Sequence, residues 1–280
     1  MLLVAAVAAK AELEFTYTAG AELTSAYLWR GQYNGGLSFQ PELGVGFETE
    51  NIAFNVGAWG NIGASDWRFT TKKDKYIDED GTEINPNTQF MPELDVMLSL
   101  SLWGASIGVN HYYYCDGSNF LSWQSKQQIL EDENTSSTEL WVGYNFGNRL
   151  DVGLFINWYV TLAGCDFNYD DDKVTRAYSS YIELGYEHEF ERIGLTISAD
   201  LGISPWRSDD IYKNGKFAVT NISVRVEKAF DLGVCSLSVF AQGMINPNGL
   251  NKETAYISAA GDEKLYKQKM NGAVGLGVWF

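Results

Sequence analysis

The sequence predicts an all-β protein that folds as a 12-stranded antiparallel transmembrane β-barrel with short turns at one end and long loops at the other. Three observations favour this fold. Apolar residues alternate with small or polar ones in twelve segments, the connections between segments alternate between short and long, and aromatic residues gather on one face near the short turns. Because successive side chains of a strand point to opposite faces, the alternation indicates strands with one apolar and one polar face.

The twelve predicted strands follow from this period-two alternation. In the last segment, Leu276, Val278 and Phe280 share one face of a strand, whereas small residues and Trp279 share the other. Segments with the same pattern lie, in chain order, at about 12–29, 37–48, 52–63, 90–102, 105–115, 137–146, 150–162, 177–190, 193–203, 216–230, 232–245 and 269–280.

The connections distinguish the two ends of the predicted barrel. Tight turns follow the second, fourth, sixth, eighth and tenth strands, whereas long segments follow the odd-numbered strands, as at 64–89, 116–136, 163–176, 204–215 and 246–268. Bacterial outer-membrane barrels have an even strand number, short periplasmic turns and longer extracellular loops. We therefore expect both termini on the periplasmic side and residues 12–280 in a single barrel domain in the bacterial outer membrane.

The apolar face is predicted to meet lipid. It carries roughly five bulky residues per strand, which is more than a barrel interior is expected to hold. The opposite face mixes glycines, polar residues and large aromatic side chains, which suits a crowded, wet interior. Aromatic rings prefer the lipid–water boundary, and the predicted girdle near the short turns consists of Phe15, Tyr17, Phe47, Phe54, Tyr144, Phe146, Tyr186, Phe190, Phe230 and Phe280.

Composition and the first residues narrow the functional class. The net charge of −16 argues against nucleic acid as a partner, because phosphate binding needs a basic face. Residues 1–11 resemble the end of a secretory signal, with an apolar run followed by the small-x-small pattern Ala9-Lys10-Ala11. The alternative for this segment is a buried first strand or helix.

Cysteines and loop carboxylates predict no cofactor and no metal site. Of the three cysteines, Cys115 and Cys165 fall at the loop end, where they could form a disulfide, and Cys235 falls near the turn end. None has the spacing of a metal site. The acidic stretch 72–81 lacks the carboxylate register of a calcium-binding loop.

A belt of polar residues on the inward face is predicted to line the pore. Folding the eighth and ninth strands about their tight turn brings Glu183 close to Asp200, and Arg225 on the next strand is the expected partner of both. Rings of carboxylates attract cations in a poorly screened constriction, so the sequence predicts a cation-preferring channel for small hydrophilic solutes. The predicted pore-lining residues are Glu42, Asp95, Asn110, Glu139, Asn157, Glu183, Asp200 and Arg225.

Two alternatives remain at this point. The belt residues could brace a closed, structural or partner-binding barrel, because twelve strands lie between filled eight-stranded barrels and open sixteen-stranded porins. A lipid-modifying enzyme would need an outward nucleophile beside a base. The two histidines, His111 and His188, fall on the lipid-facing register without a Ser or Thr two positions later, so the sequence predicts no catalysis.

One short motif resembles a known family. The stretch Ser25 to Gln32, "SAYLWRGQ", is similar to the S-x-Y-x-x-R-G entry of TorF-type porins, and the resemblance extends to the signal end and the strand rhythm. It implies a pore-forming barrel. At the family level it also implies that the barrel assembly machinery binds the C-terminal strand ending at Phe280.

Overall fold

A computed structural model of the protein describes most of the chain. The predicted signal segment, residues 1–11, lies outside the described residues. None of the described segments forms a helix long and apolar enough to cross a membrane. The described residues are 13–64, 76–77, 83–84, 90–115, 120, 136–147, 152–170, 173–212, 214–248, 254–257, 263–266 and 270–280.

The described part of the chain is built from β-strands, with one 3-10 turn at Glu191–Ile193. The strands are β1 (Glu14–Thr24), β2 (Tyr27–Trp29), β3 (Gln32–Gly35), β4 (Ser38–Glu48), β5 (Ile52–Ala64), β6 (Tyr76–Ile77), β7 (Glu83–Ile84), β8 (Phe90–Leu102), β9 (Ala105–Tyr113), β10 (Ser137–Asn145), β11 (Leu154–Gly164), β12 (Phe167–Asp170), β13 (Lys173–Arg176), β14 (Ser180–Phe190), β15 (Leu195–Ser204), β16 (Ala218–Asp231), β17 (Ser236–Ile245), β18 (Thr254–Ile257), β19 (Glu263–Tyr266) and β20 (Met270–Trp279).

Twelve of these strands close into one antiparallel barrel. Their order is β1-β20-β17-β16-β15-β14-β11-β10-β9-β8-β5-β4, and β4 pairs with β1. The last strand closes the barrel on the first, with Leu276 opposite Leu23 and Trp279 opposite Gly20. The remaining strands form two-stranded hairpins in the long connections. The predicted fold class is therefore confirmed, and each predicted segment overlaps one barrel strand.

The two ends of the barrel differ as the sequence predicts. At one end, two residues join β8 to β9, and Trp103 and Gly104 both have positive φ (51° and 87°), as a primed two-residue hairpin turn requires. At the other end, the connection from β1 to β4 already contains the hairpin β2–β3. The first barrel strand ends at Thr24, earlier than the predicted residue 29, because the chain leaves the wall there.

The outer face of the barrel is apolar and the inner face is polar. Outward side chains such as Val274 and Leu276 are 61% and 51% exposed, whereas inward Glu139 and Ser238 are 2% and 1% exposed. A closed barrel satisfies the backbone hydrogen bonds of every strand, so it can place such an apolar surface in hydrocarbon. With its even strand number and short turns at one end, the protein is a β-barrel of the bacterial outer membrane.

The predicted aromatic girdle lies on the outer face near the short turns. Phe15, Phe47 and Phe54 occupy paired positions on three neighbouring strands, and the rings of Phe15 and Phe47 meet edge to face with their centroids 5.5 Å apart. Tyr144 and Phe146 make a similar contact at 5.0 Å. These rings form a band at the level where a membrane interface is expected.

Candidate functional site: a hairpin inside the lumen

The connection after β1 folds into the barrel and crosses its lumen. Ser25 fixes the point of departure, because its backbone N–H donates to the carbonyl of Val274 and its hydroxyl accepts from the N–H of Val274. Strands β2 and β3 then form a hairpin, residues 27–35, which we call the lumen hairpin. Its turn residues Arg30 and Gly31 both have positive φ, 45° and 86°.

The tip of the lumen hairpin rests on the part of the wall formed by β16 and β17. The carbonyl of Gly31 accepts a hydrogen bond of 3.1 Å from the side-chain amide of Asn246, at the end of β17. A Cβ atom added to Gly31 would collide with the carbonyl oxygen of Thr220 on β16. Glycine is therefore required here both by the backbone conformation and by the close approach to the wall.

Arg30 holds the hairpin through a buried ion pair. Its two terminal nitrogens donate to the two carboxylate oxygens of Glu139 at 2.7 and 2.9 Å, and the side chains are 9% and 2% exposed. Tyr112 donates a hydrogen bond of 2.8 Å to Glu139, and Arg30 donates one of 2.7 Å to the hydroxyl of Tyr212. We call these four residues the Arg30 clamp.

Aromatic rings complete the surroundings of the Arg30 guanidinium. Its central carbon lies 4.0 Å from the ring centroid of Tyr159, 4.7 Å from that of Tyr181 and 4.8 Å from that of Trp29. Desolvating an arginine is costly unless its charge and its donors find partners. Here the bidentate carboxylate and the cation–π contacts supply them, so the hairpin is fixed within the lumen.

A second loop supports the clamp from the loop end. Tyr212 belongs to the connection after β15 and stacks on Tyr181 with centroids 5.4 Å apart. Its backbone N–H donates to the hydroxyl of Ser208, whose oxygen lies 2.5 Å from the hydroxyl oxygen of Ser179. Ser179 donates from its N–H and its hydroxyl to the buried carboxylate of Asp166. Burial raises the pKa of Asp166, and the hydrogen bonds from Ser179 oppose this shift.

The lumen hairpin divides the space inside the barrel. Beneath it lies a cavity of about 490 Å³, the central chamber, whose wall includes Leu28, Arg30, Asp95, Glu183 and Arg225. A cavity of about 340 Å³ lies on the loop side, and one of about 370 Å³ lies in the half nearer the short turns. Tyr27, Trp29 and Tyr112 border both the loop-side cavity and the central chamber.

The predicted pore-lining residues all lie on inward-facing positions of the barrel strands, but they do not form one belt. Glu139 belongs to the Arg30 clamp. Asn157 and Tyr159 donate to the same oxygen of Glu183, at 3.2 and 3.3 Å. Six of the predicted residues line the central chamber: Glu42, Asp95, Asn110, Glu183, Asp200 and Arg225.

The predicted network of Glu183, Asp200 and Arg225 is wrong in its partners. Asp200 pairs in register with Gly185 rather than Glu183 and accepts a hydrogen bond from Ser223. Arg225 instead contacts Glu22, on β1, at 2.5 Å and Glu227 at 2.6 Å. Its guanidinium also lies 3.7 Å from the ring centroid of Phe240. We call these four residues, Arg225, Glu22, Glu227 and Phe240, the Arg225 cluster.

Sequence reasoning missed the lumen hairpin and treated Arg225 as the single cation of the pore. The signal was present in the quoted motif: Ser25 anchors the turn, Tyr27 contacts Trp59 on β5, Arg30 forms the clamp and Gly31 meets the backbone of β16. The apolar alternation of "AYLW" resembles a continuation of β1, so the pattern does not show that the chain leaves the barrel wall after Thr24.

His111 has a neighbour that the sequence analysis did not consider. His111 is outward in register but only 8% exposed, because Phe120 covers it. A threonine does lie beside it, across the strand pair rather than two positions later: the ring nitrogen Nδ1 is 2.9 Å from the hydroxyl of Thr138. Nε2 lies 2.6 Å from the carbonyl of Phe120 and donates to it. The bridge that Cys115 and Cys165 could have formed is absent from the structure, where the three cysteines make no disulfide with one another.

Comparisons with known proteins add outer-membrane barrels of low similarity. No protein family and no curated protein matches the sequence. OmpF of Salmonella typhi, in complex with daunomycin, is 9% identical over 96% of this chain and 98% of its own, with a TM-score of 0.40. Outer membrane phospholipase A from Escherichia coli is 10% identical over 97% and 98%, with a TM-score of 0.38. At such identities, the activities of these proteins do not transfer to this chain.

Proposed function

We propose that the protein is an outer-membrane channel for passive diffusion of small hydrophilic solutes, narrowed by the lumen hairpin. The observation that carries this proposal is the polar interior with cavities on both sides of the hairpin. Open and plugged outer-membrane barrels both have polar interiors, so it is the solvent-sized spaces between these polar walls that suit a path for hydrated solutes.

We further propose that this path prefers cations. The two arginines of the described lumen are both occupied, Arg30 by Glu139 and Arg225 by Glu22 and Glu227. Four carboxylates of the central chamber have no cation within ion-pair distance among the described residues: Glu42, Asp95, Glu183 and Asp200. Inside a narrow lumen, their attraction for cations is poorly screened.

Planar-bilayer recording of the purified full-length protein tests both parts of the proposal. We expect stepwise currents whose reversal potential in a KCl gradient indicates cation preference. The double variant Glu183→Gln/Asp200→Asn should shift the reversal potential towards zero selectivity, since it removes two wall charges without changing side-chain volume. Stepwise currents whose reversal potential is unchanged in the double variant would support the channel and contradict the cation preference.

A closed barrel is the second candidate, favoured by one observation. The Arg30 clamp fixes the hairpin across the lumen with a bidentate ion pair and three aromatic contacts. If the hairpin stays seated, bilayers remain silent. Currents that appear only after the clamp is broken, as in Glu139→Gln, would indicate a gated or plugged barrel whose loops serve another purpose.

We propose that the barrel has no catalytic activity. Within the described part of the chain, the arrangement nearest to a nucleophile and base is Thr138 with His111, yet both ring nitrogens are engaged and the ring is covered by Phe120. In this interpretation His111 holds Phe120 in place. Phospholipase activity of the purified protein in mixed micelles, lost in His111→Ala, would overturn this part of the proposal.

Two implications of the resemblance stay proposals. Membership of the TorF-type porins rests on the hairpin motif, each of whose characteristic residues has a structural role here. Binding of the assembly machinery to the C-terminal strand rests on outward Phe280, whose N–H pairs with the carbonyl of Ala19. Reduced outer-membrane insertion of Phe280→Ala, with unchanged expression, is the expected result.

A further inference from the structure

One wall of the central chamber combines a carboxylate with aromatic rings on three sides. Asp95 lies on β8 between Trp59 of β5 and Tyr112 of β9, which occupy the paired positions in the two neighbouring strands. Tyr27 of the lumen hairpin covers this group, with its ring centroid 5.4 Å from that of Trp59. All four residues border the central chamber. We call them the Asp95 cage.

The carboxylate of the Asp95 cage has an unused acceptor. Asp95 is only 8% exposed, and its oxygen Oδ1 is buried without a hydrogen-bond partner among the described residues. A buried acceptor left unsatisfied is costly, and native structures rarely keep one without a ligand, an ion or a functional reason. The unused oxygen therefore points to something that binds in the chamber.

The neighbouring charges do not meet this need. The charged groups near Asp95 are Glu93, Glu139 and Arg30. Arg30 directs its donors to Glu139 and Tyr212, and Glu93 has the phenols of Tyr27 and Tyr114 as hydrogen-bonding neighbours. Asp95 therefore has no cationic partner of its own among the described residues, and a cation bound in the chamber would favour the ionised form of its carboxyl group.

We propose that the Asp95 cage binds a small organic ammonium ion. A carboxylate combined with the faces of tryptophan and tyrosine recognises alkylated or quaternary ammonium groups, since the rings attract the diffuse positive charge and exclude water. A hydrated inorganic cation gains less from the rings than from carboxylate oxygens. The inference rests on the proposed channel function and names the class of solute that the channel retains on its way.

Binding of choline to the purified full-length protein is the direct test. Isothermal titration in a glucoside detergent, which has no ammonium headgroup, should give saturable binding of choline chloride. The neutral isostere 3,3-dimethyl-1-butanol should bind at least about tenfold more weakly, because it keeps the shape and lacks the charge. Equal binding of the two compounds would overturn the proposal.

Matched variants locate the site. Asp95→Asn should weaken choline binding by about tenfold or more, whereas Asp231→Asn, the same chemical change at the exposed end of β16 and outside the chamber, should change it less than about twofold. Trp59→Leu should weaken binding and Trp59→Phe should restore most of it. Asp95→Asn with unchanged binding contradicts the proposal, and so does Trp59→Leu with unchanged binding, which would indicate a site for an inorganic counter-ion. Heat-modifiable migration on gels verifies that each variant folds.

The outcome is separable from that of the channel proposal. Bilayer currents in KCl without choline binding would contradict the proposed ammonium site and support the proposed channel. Choline binding that responds to Asp95→Asn in a protein that gives silent bilayers would remove the channel and keep the site as a receptor within a closed barrel.

Discussion

The two arginines of the described lumen, Arg30 and Arg225, play different structural roles. Arg30 comes from a loop, is 9% exposed and makes a bidentate pair with a carboxylate that is 2% exposed. Arg225 comes from a barrel strand, is 25% exposed and shares its charge between Glu22 and Glu227. The first pair decides where a segment of chain lies, whereas the second adjusts the charge of a wall that the strand pairing already fixes. Similar chemistry therefore predicts different consequences when each pair is broken.

Breaking the Arg30 clamp should have the largest effect. In Arg30→Ala, Glu139 remains buried without its cation, and removing one partner of a buried ion pair typically costs about 3–5 kcal/mol. We expect a clear loss of stability in urea titrations in detergent and larger or more frequent conductance steps, because the hairpin is released.

The double variant Arg30→Met/Glu139→Leu separates the two consequences. It removes the buried charge together with its partner, so it should recover much of the stability. The hairpin would still lack the ion pair that holds it in the lumen. If Arg30→Ala changed stability no more than Arg225→Ala, the distinction between the two arginines would be lost.

Substitution at the hairpin tip should have the second-largest effect on stability. Gly31→Ala places a side chain at φ 86° and against the backbone of Thr220, and a strained backbone conformation alone costs about 1–3 kcal/mol. Gly35, in the same hairpin, has open space around its Cβ position, so Gly35→Ala is the matched control and should be close to neutral in the same urea titration. Equal effects of the two substitutions would mean that the tip does not rest on the wall.

Arg225→Ala should change selectivity more than stability. Its pairs are partly exposed, and such pairs contribute at most about 1 kcal/mol. Loss of the cation leaves Glu22 and Glu227 uncompensated, so the reversal potential in a KCl gradient should move towards stronger cation preference. Arg225→Lys, which keeps the charge, should stay near the parent value. A reversal potential that does not move in Arg225→Ala would contradict the proposed role of the wall charges.

The sequence predicted the barrel because strand exposure is a local property. Whether Val278 faces outward depends only on its parity along the strand and on the apolar character of its neighbours. The position of Arg30 depends instead on contacts with β10, β11 and a loop more than a hundred residues away. Such contacts leave no periodic pattern in the sequence. An arginine followed by glycine in an aromatic stretch nevertheless does not fit the alternation of a barrel strand.

The same reasoning explains the misassigned partner of Arg225. The prediction considered only the hairpin neighbours of β16, whereas Glu22 belongs to β1, three strands away around the barrel. Side chains that point into a narrow lumen can meet across several strands, so pairing order alone does not determine their contacts. Strand positions could thus be predicted, and lumen contacts could not.

The smallest expected effect concerns the loop that supports the clamp. Burial raises the pKa of Asp166, with opposing hydrogen bonds from Ser179, so the folded state holds this proton more tightly than the unfolded chain does. The resulting stability is complete below the unfolded pKa and is lost as the pH rises through the folded pKa. Asp166→Asn removes this dependence, so the stability of the parent relative to this variant should fall as the pH rises from about 3 through the acidic range. Urea titrations at a series of acidic pH values measure the difference.

Asp210→Asn serves as the control, since its carboxylate accepts hydrogen bonds from the same loop region. If the stability difference between the parent and Asp166→Asn stayed constant with pH, Asp166 would not couple protonation to the support of Tyr212.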